Sequence, residues 1–464
     1  MGRLRMRVAI CGAEIGGFVA ALCLPRHTAI DATVYEGASR LAEVGAGIGL
    51  WLRPREILER LGLEEELMER SCVEAEEEED TEFISRKSDQ VEGYHFSIIQ
   101  AKGESLSTST PSTLLILLSR DNVVCSKRLA SYTDAASLLD APSSTFPGSS
   151  SSPTSLSSCE PSFSASNFSS FSSNNAPPRS MHLPSLQARL DLATSPSNDD
   201  HPIQPHFEDG TVATCDVLIG ADGLKSRVRV GMMERLVSEA TRQIEAEDAW
   251  VDALAAAAQP VWSGFVAYRV LSSADKLRER ASEHSFLSNS MLYFGKNANG
   301  ACLNMIFFTF DPAQEHDMHS WMRKAAMAEF AGAFEGGSRS GVEDEANARQ
   351  QCVDGALRWA VHTTKPPGLP TFVHGRTALM GDAAHSMTPF QGSGAGQAVE
   401  DAWLLAHLLG DPSVTPDTIP DALRVYDAAR RPVAQDVQER SRVNGHLLAL
   451  NYRGIDFNAL QGEA

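Results

Sequence analysis

Residues 377–409, reading TALMGDAAHSMTPFQGSGAGQAVEDAWLLAHLL, constrain this chain more than any other segment, because they join a buried strand, an acidic turn, a glycine-rich loop and a helix start. The apolar run from Thr377 to Met380 delivers Gly381 and Asp382 to a strand end, where open α/β sheets hold their ligands. Asp382 is thereby placed to accept sugar or polyol hydroxyls. The loop from Pro389 to Gly396 carries Gly392, Gly394 and Gly396 without side-chain bulk. Backbone N–H groups of Gly394, Ala395 and Gly396 can therefore crowd a planar or anionic ligand at the N-terminus of a helix expected over 397–409.

Two further blocks have the same character. Arg7 to Cys11 reads as a buried strand running into Gly12-Ala13-Glu14-Ile15-Gly16-Gly17, with a helix expected from about Gly16 to Leu24 and a second strand, Ala32 to Tyr35, ending in Glu36. This is a βαβ dinucleotide arrangement, in which Gly12 and Gly17 permit close backbone approach and Glu36 binds ribose hydroxyls. Glu14 stands where the pattern has its second glycine, the position at which backbone meets a pyrophosphate. The third block, Cys215 to Gly223, is a strand followed by an acidic turn at Asp222.

Together the three blocks resemble the FAD-dependent aromatic hydroxylases, single-component flavoprotein monooxygenases of salicylate hydroxylase type, over roughly residues 6–100 and 207–457. The resemblance implies an α/β fold: a Rossmann-like FAD-binding domain of glutathione-reductase type, discontinuous in sequence, with an inserted mixed-sheet substrate domain and C-terminal helices. The expected divisions are 1–100, 206–240 and 371–410 for the FAD-binding domain, 101–205 for an irregular insertion, 241–370 for the substrate sheet and 411–464 for the C-terminal helices. It also implies FAD as cofactor, NADH or NADPH as co-substrate, dioxygen, and a small aromatic substrate. In such a cycle the nicotinamide reduces FAD, and one oxygen atom of dioxygen passes to an electron-rich ring. Gly47 and Gly49, in a turn spanning Val44 to Leu50, are expected to close over the flavin, Asp222 to serve both FAD and the nicotinamide donor, and Arg120 to be the nearest match to a flavin-contacting arginine. The family's Tyr-Arg position falls on Tyr268 and Arg269. Arg269 is the candidate for a substrate carboxylate or phenolate, because a planar guanidinium binds such groups bidentately, with a surface or interdomain salt bridge as the alternative reading. Two other readings stay open: a nicotinamide-dependent dehydrogenase on the same βαβ start, and a non-catalytic relative whose flavin site has degenerated.

Composition narrows the partners. A formal net charge of −20 over 464 residues opposes nucleic acid and anionic membrane surfaces. No apolar run reaches membrane-spanning length, and no His or Cys cluster has metal-ligand spacing. The eight cysteines are scattered without a C-x-x-C pair, which fits a reduced, cytoplasmic protein, expected as a monomer or homodimer. Glu74 to Asp80 reads as a solvated acidic run, and the Ser-rich stretch 141–179 as a disordered insertion. The strands expected around 262–270 and 301–310 suit an apolar cavity, with plain core packing the reading for most of their aromatics. His385 reads as a structural hydrogen-bonder, and the segment from Pro420 to Leu450 as two helices interrupted at Pro432.

Overall fold

The computed structural model describes residues 5–27, 29–39, 50–63, 83–87, 94–96, 123–133, 202–242, 248–271, 291–294, 299–301, 304–310, 321–332, 356–449 and 452. The Gly47–Gly49 turn, Arg120, the acidic run and the 141–179 stretch lie outside these residues.

A six-stranded sheet carries all three blocks. Its order is Val373–His374, Thr377–Leu379, Val217–Gly220, Met6–Cys11, Ile30–Tyr35 and Val123–Val124, and only the first pair is antiparallel. Cys11 and Leu379 both pair with Gly220, and Cys11 pairs with Tyr35, so four neighbouring strands end at one level. Val217 to Gly220 and Thr377 to Leu379 are buried throughout, as parallel strands covered on both faces must be. Helices cover the sheet closely because small residues meet there. A Cβ on Gly16 of the helix Ile15–Cys23 would lie 3.1 Å from Ala398 Cβ of the helix Gly394–Leu409, and one on Gly220 would lie 2.7 Å from Val228 Cβ of the helix Arg227–Arg242.

The second sheet has eight strands, in the order Met322–Ala325, Ala356–Thr363, Val261–Leu271, Asn304–Phe310, Asn299–Ala301, Met291–Phe294, Phe83–Lys87 and Tyr94–Phe96. Four boundaries expected from sequence therefore move. Phe83–Lys87 and Tyr94–Phe96 leave the FAD-binding part and extend the second sheet. Val123–Val124 and Leu129–Thr133 return to the first unit, within the span read as insertion. The helix Asp248–Ala257 and Leu369 pack in the core of the first sheet rather than in the substrate unit. Local composition cannot report such exchanges, because a strand's partner is set by tertiary contacts.

The C-terminal segment is one continuous helix, Ile419–Leu448, not two. Pro432 removes one backbone donor, but Tyr426, Arg430, Ala434 and Gln438 are buried on either side of it, and that packing holds the helix across the proline. Residues 134–201 connect adjacent antiparallel strands, since Thr133 pairs with Gln204. The ends of that connection are already held together, so its length costs little closure entropy. Deleting 143–173 should leave the melting temperature and flavin content unchanged; a fall of more than a few degrees by differential scanning fluorimetry would refute this.

Candidate active site

The level ends of the four strands bring separate acidic groups to one cleft. Gly12 adopts φ +103°, and a Cβ there would sit 2.1 Å from the Ala221 carbonyl oxygen, so only glycine lets the first turn pack on the third block. Gly17 is equally restricted, by the Gly12 carbonyl oxygen at 2.1 Å. Both glycines thus serve contacts within the protein.

Glu36 ends the second strand as expected, and its carboxylate accepts the Ala13 N–H at 2.8 Å and the Ala38 N–H at 2.7 Å. It fixes the glycine turn while keeping lone pairs for ribose hydroxyls. Asp222 accepts Ser226 Oγ–H at 2.5 Å and the Arg227 N–H at 2.7 Å, so it is engaged by the first turn of the helix Arg227–Arg242. Asp382 differs from both: among the described residues its carboxylate takes no hydrogen bond, and the group is exposed to the cleft. Gly381 holds φ +56° before it, and the Cβ position of Gly394 lies 4.0 Å from an Asp382 carboxylate oxygen.

Glu14 also projects here, with a carboxylate oxygen 2.9 Å from where a Gly223 Cβ would be. Its backbone, at φ −76°, does not require glycine. Glu14 and Asp382 both keep access to water, yet protein crowds them on most sides, so the cleft is open but poorly solvating. Desolvation, then the negative fields of Asp382, Glu36 and Asp222, push the Glu14 carboxyl up to about 8. Desolvation likewise raises Asp382, against the opposing fields of His385 and Arg229.

Buried cations offset this acidity. Arg229 has no exposed surface and donates to the carbonyls of Ala383 at 2.8 Å, Ala258 at 3.2 Å and Leu224. Burial pushes its guanidinium down to about 10, opposed by Asp222 and Asp382. It joins the turn that follows the Cys215–Gly223 block to the Gly381–Asp382 turn from beneath. His385 is fully buried, and its Nε2 lies 2.6 Å from Asp401 Oδ2, which makes it a structural hydrogen-bonder as expected. Arg430 Nε donates to Asp401 Oδ1 at 2.7 Å, and Arg430 NH1 to Glu400 at 2.7 Å. Sequence reasoning missed Arg229, Glu400, Asp401 and Arg430. A signal existed for one pair: two adjacent acids inside the mainly apolar helix Gly394–Leu409 require a cation if they are buried.

The cleft fits FAD by the state of its helix ends. Neither the helix Ile15–Cys23 nor the helix Gly394–Leu409 has a side-chain cap bond at its N-terminus, so first-turn N–H groups are left for an anionic or polar ligand. Gly394, Ala395 and Gly396 are among those residues, and Pro389 begins the short turn that leads to them. At the first of these helix starts Glu14 opposes a pyrophosphate.

The second sheet meets this loop. Phe390 packs at 4.7 Å from the Phe265 ring and 4.6 Å from the Phe308 ring. Strand alternation puts Arg269 on the same face as Phe265, and its paired residue is Ile306. Arg269 is 6 % exposed, although protein surrounds it far less densely than it does Arg229; burial lowers its guanidinium. Tyr268 takes the opposite face and packs in a small core with Phe307 and Phe330, the Phe330 ring at 5.7 Å. It thereby lies on the other face of the strand from Arg269, where regular alternation places it.

Comparison with known proteins agrees with this arrangement. Residues 358–441 match the FAD binding domain family model. Salicylate hydroxylase of Pseudomonas putida is 28 % identical, over 97 % of this chain and 87 % of that protein. The FAD-dependent monooxygenase str9 of Strobilurus tenacellus is also 28 % identical, over 96 % and 90 %. The 6-methylsalicylate 1-monooxygenase atA of Aspergillus terreus is 31 % identical, over 54 % of this chain and 52 % of its own. In fold, a salicylate hydroxylase solved as a substrate complex superposes with a TM-score of 0.68 at 24 % identity, covering 98 % of this chain and 92 % of that one. Along nearly its whole length the chain is similar in sequence to salicylate hydroxylase, and it shares the fold of the FAD-dependent hydroxylases.

Proposed function

We propose that the chain hydroxylates a phenolic or aromatic acid of the salicylate class, consuming NADH or NADPH and dioxygen. The observation that carries this reading is the meeting of Arg269's face of the second sheet with Phe390, in the loop between the acidic turn and the uncapped helix start. Asp382 and the first-turn amides of Gly394, Ala395 and Gly396 would hold the flavin end of FAD, and Glu36 and the start of the helix Ile15–Cys23 the adenosine end. Bound FAD supplies the hydride acceptor and the activation of dioxygen that side chains cannot provide.

The chain's own residues then have three tasks. Phe265, Phe308 and Phe390 exclude water beside the flavin loop, which strengthens every electrostatic contact made there. Arg269 binds the carboxylate or phenolate and, by favouring the anion, keeps the ring electron-rich. The His385–Asp401 pair and Arg229 hold the acidic turn in place from below. The free cysteines Cys11, Cys23, Cys125 and Cys215 support a cytoplasmic setting. A monomer or homodimer satisfies this reading equally.

Purified protein should be yellow and oxidise NADH or NADPH faster when a 2-hydroxybenzoate is added. Replacing Arg269 by Ala should keep the flavin and lower kcat/KM for acidic phenols by about tenfold or more, the scale of one charge-assisted contact. Normal turnover by that variant would return Arg269 to an interdomain ion pair. Absence of nicotinamide oxidation by flavin-loaded parent protein would favour the non-catalytic reading that Glu14 motivates.

A further inference from the structure

We propose that His385, Asp401 and Arg430 are positioning residues of the cofactor site, and that through them the long C-terminal helix sets the angle of the Gly381–Asp382 turn. This rests on the reading above in one respect, that Asp382 holds FAD.

The geometry is a hub. Asp401 has no exposed surface, and its carboxylate takes three donors: Gly381 N–H at 3.0 Å and His385 Nε2 at 2.6 Å on Oδ2, and Arg430 Nε at 2.7 Å on Oδ1. Such a group must be ionised to accept all three. Burial alone would raise it, but His385 and Arg430 pull the Asp401 carboxyl down to about 2. Among the described residues the buried Nδ1 of His385 has no hydrogen-bond partner, so the ring is held through Nε2 on Asp401. Both bonds on Oδ2 flank Asp382, one from the residue before it and one from the last residue of its short helix. The turn is thus gripped at its two ends by a single carboxylate.

Arg430 ties that carboxylate to the C-terminal helix, and the grip is shared along it. Arg430 NH2 donates to Gln397 Oε1 at 2.8 Å, beside the uncapped helix start. Gln438 donates to the Ser386 carbonyl at 2.7 Å, just beyond the turn, and Asn444 to the Phe390 carbonyl at 2.7 Å. Tyr426 donates to the Leu379 carbonyl at 2.9 Å, on the strand that precedes the turn. One helix therefore fixes the strand, turn and loop of the 377–409 segment together. None of these helix residues needs to touch the cofactor to decide where Asp382 points.

A merely structural pair and a positioning pair differ in one respect. In the first case FAD affinity falls only as far as apoprotein stability falls; in the second it falls without it. His385→Phe keeps a ring against Phe372, whose centroid lies 5.7 Å away, but removes the bond to Asp401. His385→Gln keeps a donor near the Nε2 position. FAD titration of apoprotein by fluorescence quenching should show a dissociation constant raised about tenfold or more for His385→Phe, a red or blue shift of the bound-flavin absorption band, and near-parent values for His385→Gln. The melting temperature of apo His385→Phe should stay close to that of the parent. If His385→Phe does not fold, Arg430→Lys is titrated in its place with the same expectation. Parent-like affinity in the variant titrated would overturn the proposal, as would equal weakening in His385→Phe and His385→Gln in step with lost stability. Asp382→Ala, measured alongside, separates the two failures: loss of FAD there with normal binding in His385→Phe refutes positioning alone, whereas normal binding in both refutes the assignment of the site.

Discussion

Asp382→Ala is expected to lose FAD while the apoprotein remains as stable as its parent, or becomes more so. The two effects separate because of what the side chain does without a ligand. Asp382 takes no hydrogen bond from the described residues, so its removal leaves no buried donor stranded. It faces the raised carboxyl of Glu14 and is itself raised by desolvation, so its removal also relieves a crowded acidic cleft. A carboxylate accepting two sugar or polyol hydroxyls contributes about 1.5–3 kcal/mol per bond, or roughly a hundredfold or more in affinity when both are lost. The flavin-to-protein absorbance ratio of purified variant and a fluorimetric melt of its apoprotein give both quantities. An unchanged ratio would mean that FAD lies elsewhere; a lost ratio with a melt lowered by many degrees would mean that Asp382 holds the turn rather than the cofactor.

The contrast among the acids also shows what sequence can carry. Glu36, Asp222 and Asp382 all follow a strand end, a local and periodic signal, and each stands at the same edge of one sheet. Which of them is already occupied is not local. Glu36 is taken by Ala13 and Ala38, and Asp222 by its own helix, while Asp382 is spare. Hydrogen bonds of this kind depend on side-chain direction, which residue spacing does not encode.

Arg229 and Arg430 were illegible for a stronger reason. Each serves groups that lie far away in sequence, Ala383 for one and Asp401 for the other, and an arginine on an amphipathic helix reads as exposed until its helix is docked. Pro432 misled in the opposite sense. A proline signals a break where a helix depends on its own hydrogen bonds, but Ile419–Leu448 depends on tertiary packing through Tyr426, Arg430 and Gln438. The strand pair Phe83–Lys87 and Met291–Phe294 adds a further limit: parallel pairing across some two hundred residues leaves no mark in either segment.

Glu14 gives the prediction on which sequence and structure differ most in form. Its position alone suggests a fixed charge against a pyrophosphate. Two unit charges about 5 Å apart at an effective dielectric near 20 repel by about 3 kcal/mol, or roughly a hundredfold in affinity. Desolvation and the neighbouring acids instead hold the group's proton up to about 8, so near neutral pH most of that repulsion is absent. FAD affinity should then fall as pH rises through about 8 and Glu14 ionises. The sign for folding is the same. Above the ordinary carboxylate value of 4.5 the unfolded chain has released this proton while the folded chain keeps it, so apoprotein stability declines between pH 4.5 and about 8 and levels off beyond. Glu14→Gln, which cannot ionise, should bind FAD much as the parent does near pH 6.5 and up to roughly a hundredfold more tightly near pH 9.5. Glu14→Gly should exceed Gln by a similar factor at every pH, because neither side chain titrates and the remaining difference is bulk over Gly223. Dissociation constants for parent, Gln and Gly apoproteins across pH 6–10, from quenching of flavin fluorescence, decide the matter. Parallel curves for parent and Gln would show that Glu14 does not titrate beside the cofactor, and equal constants for all three would remove it from the site.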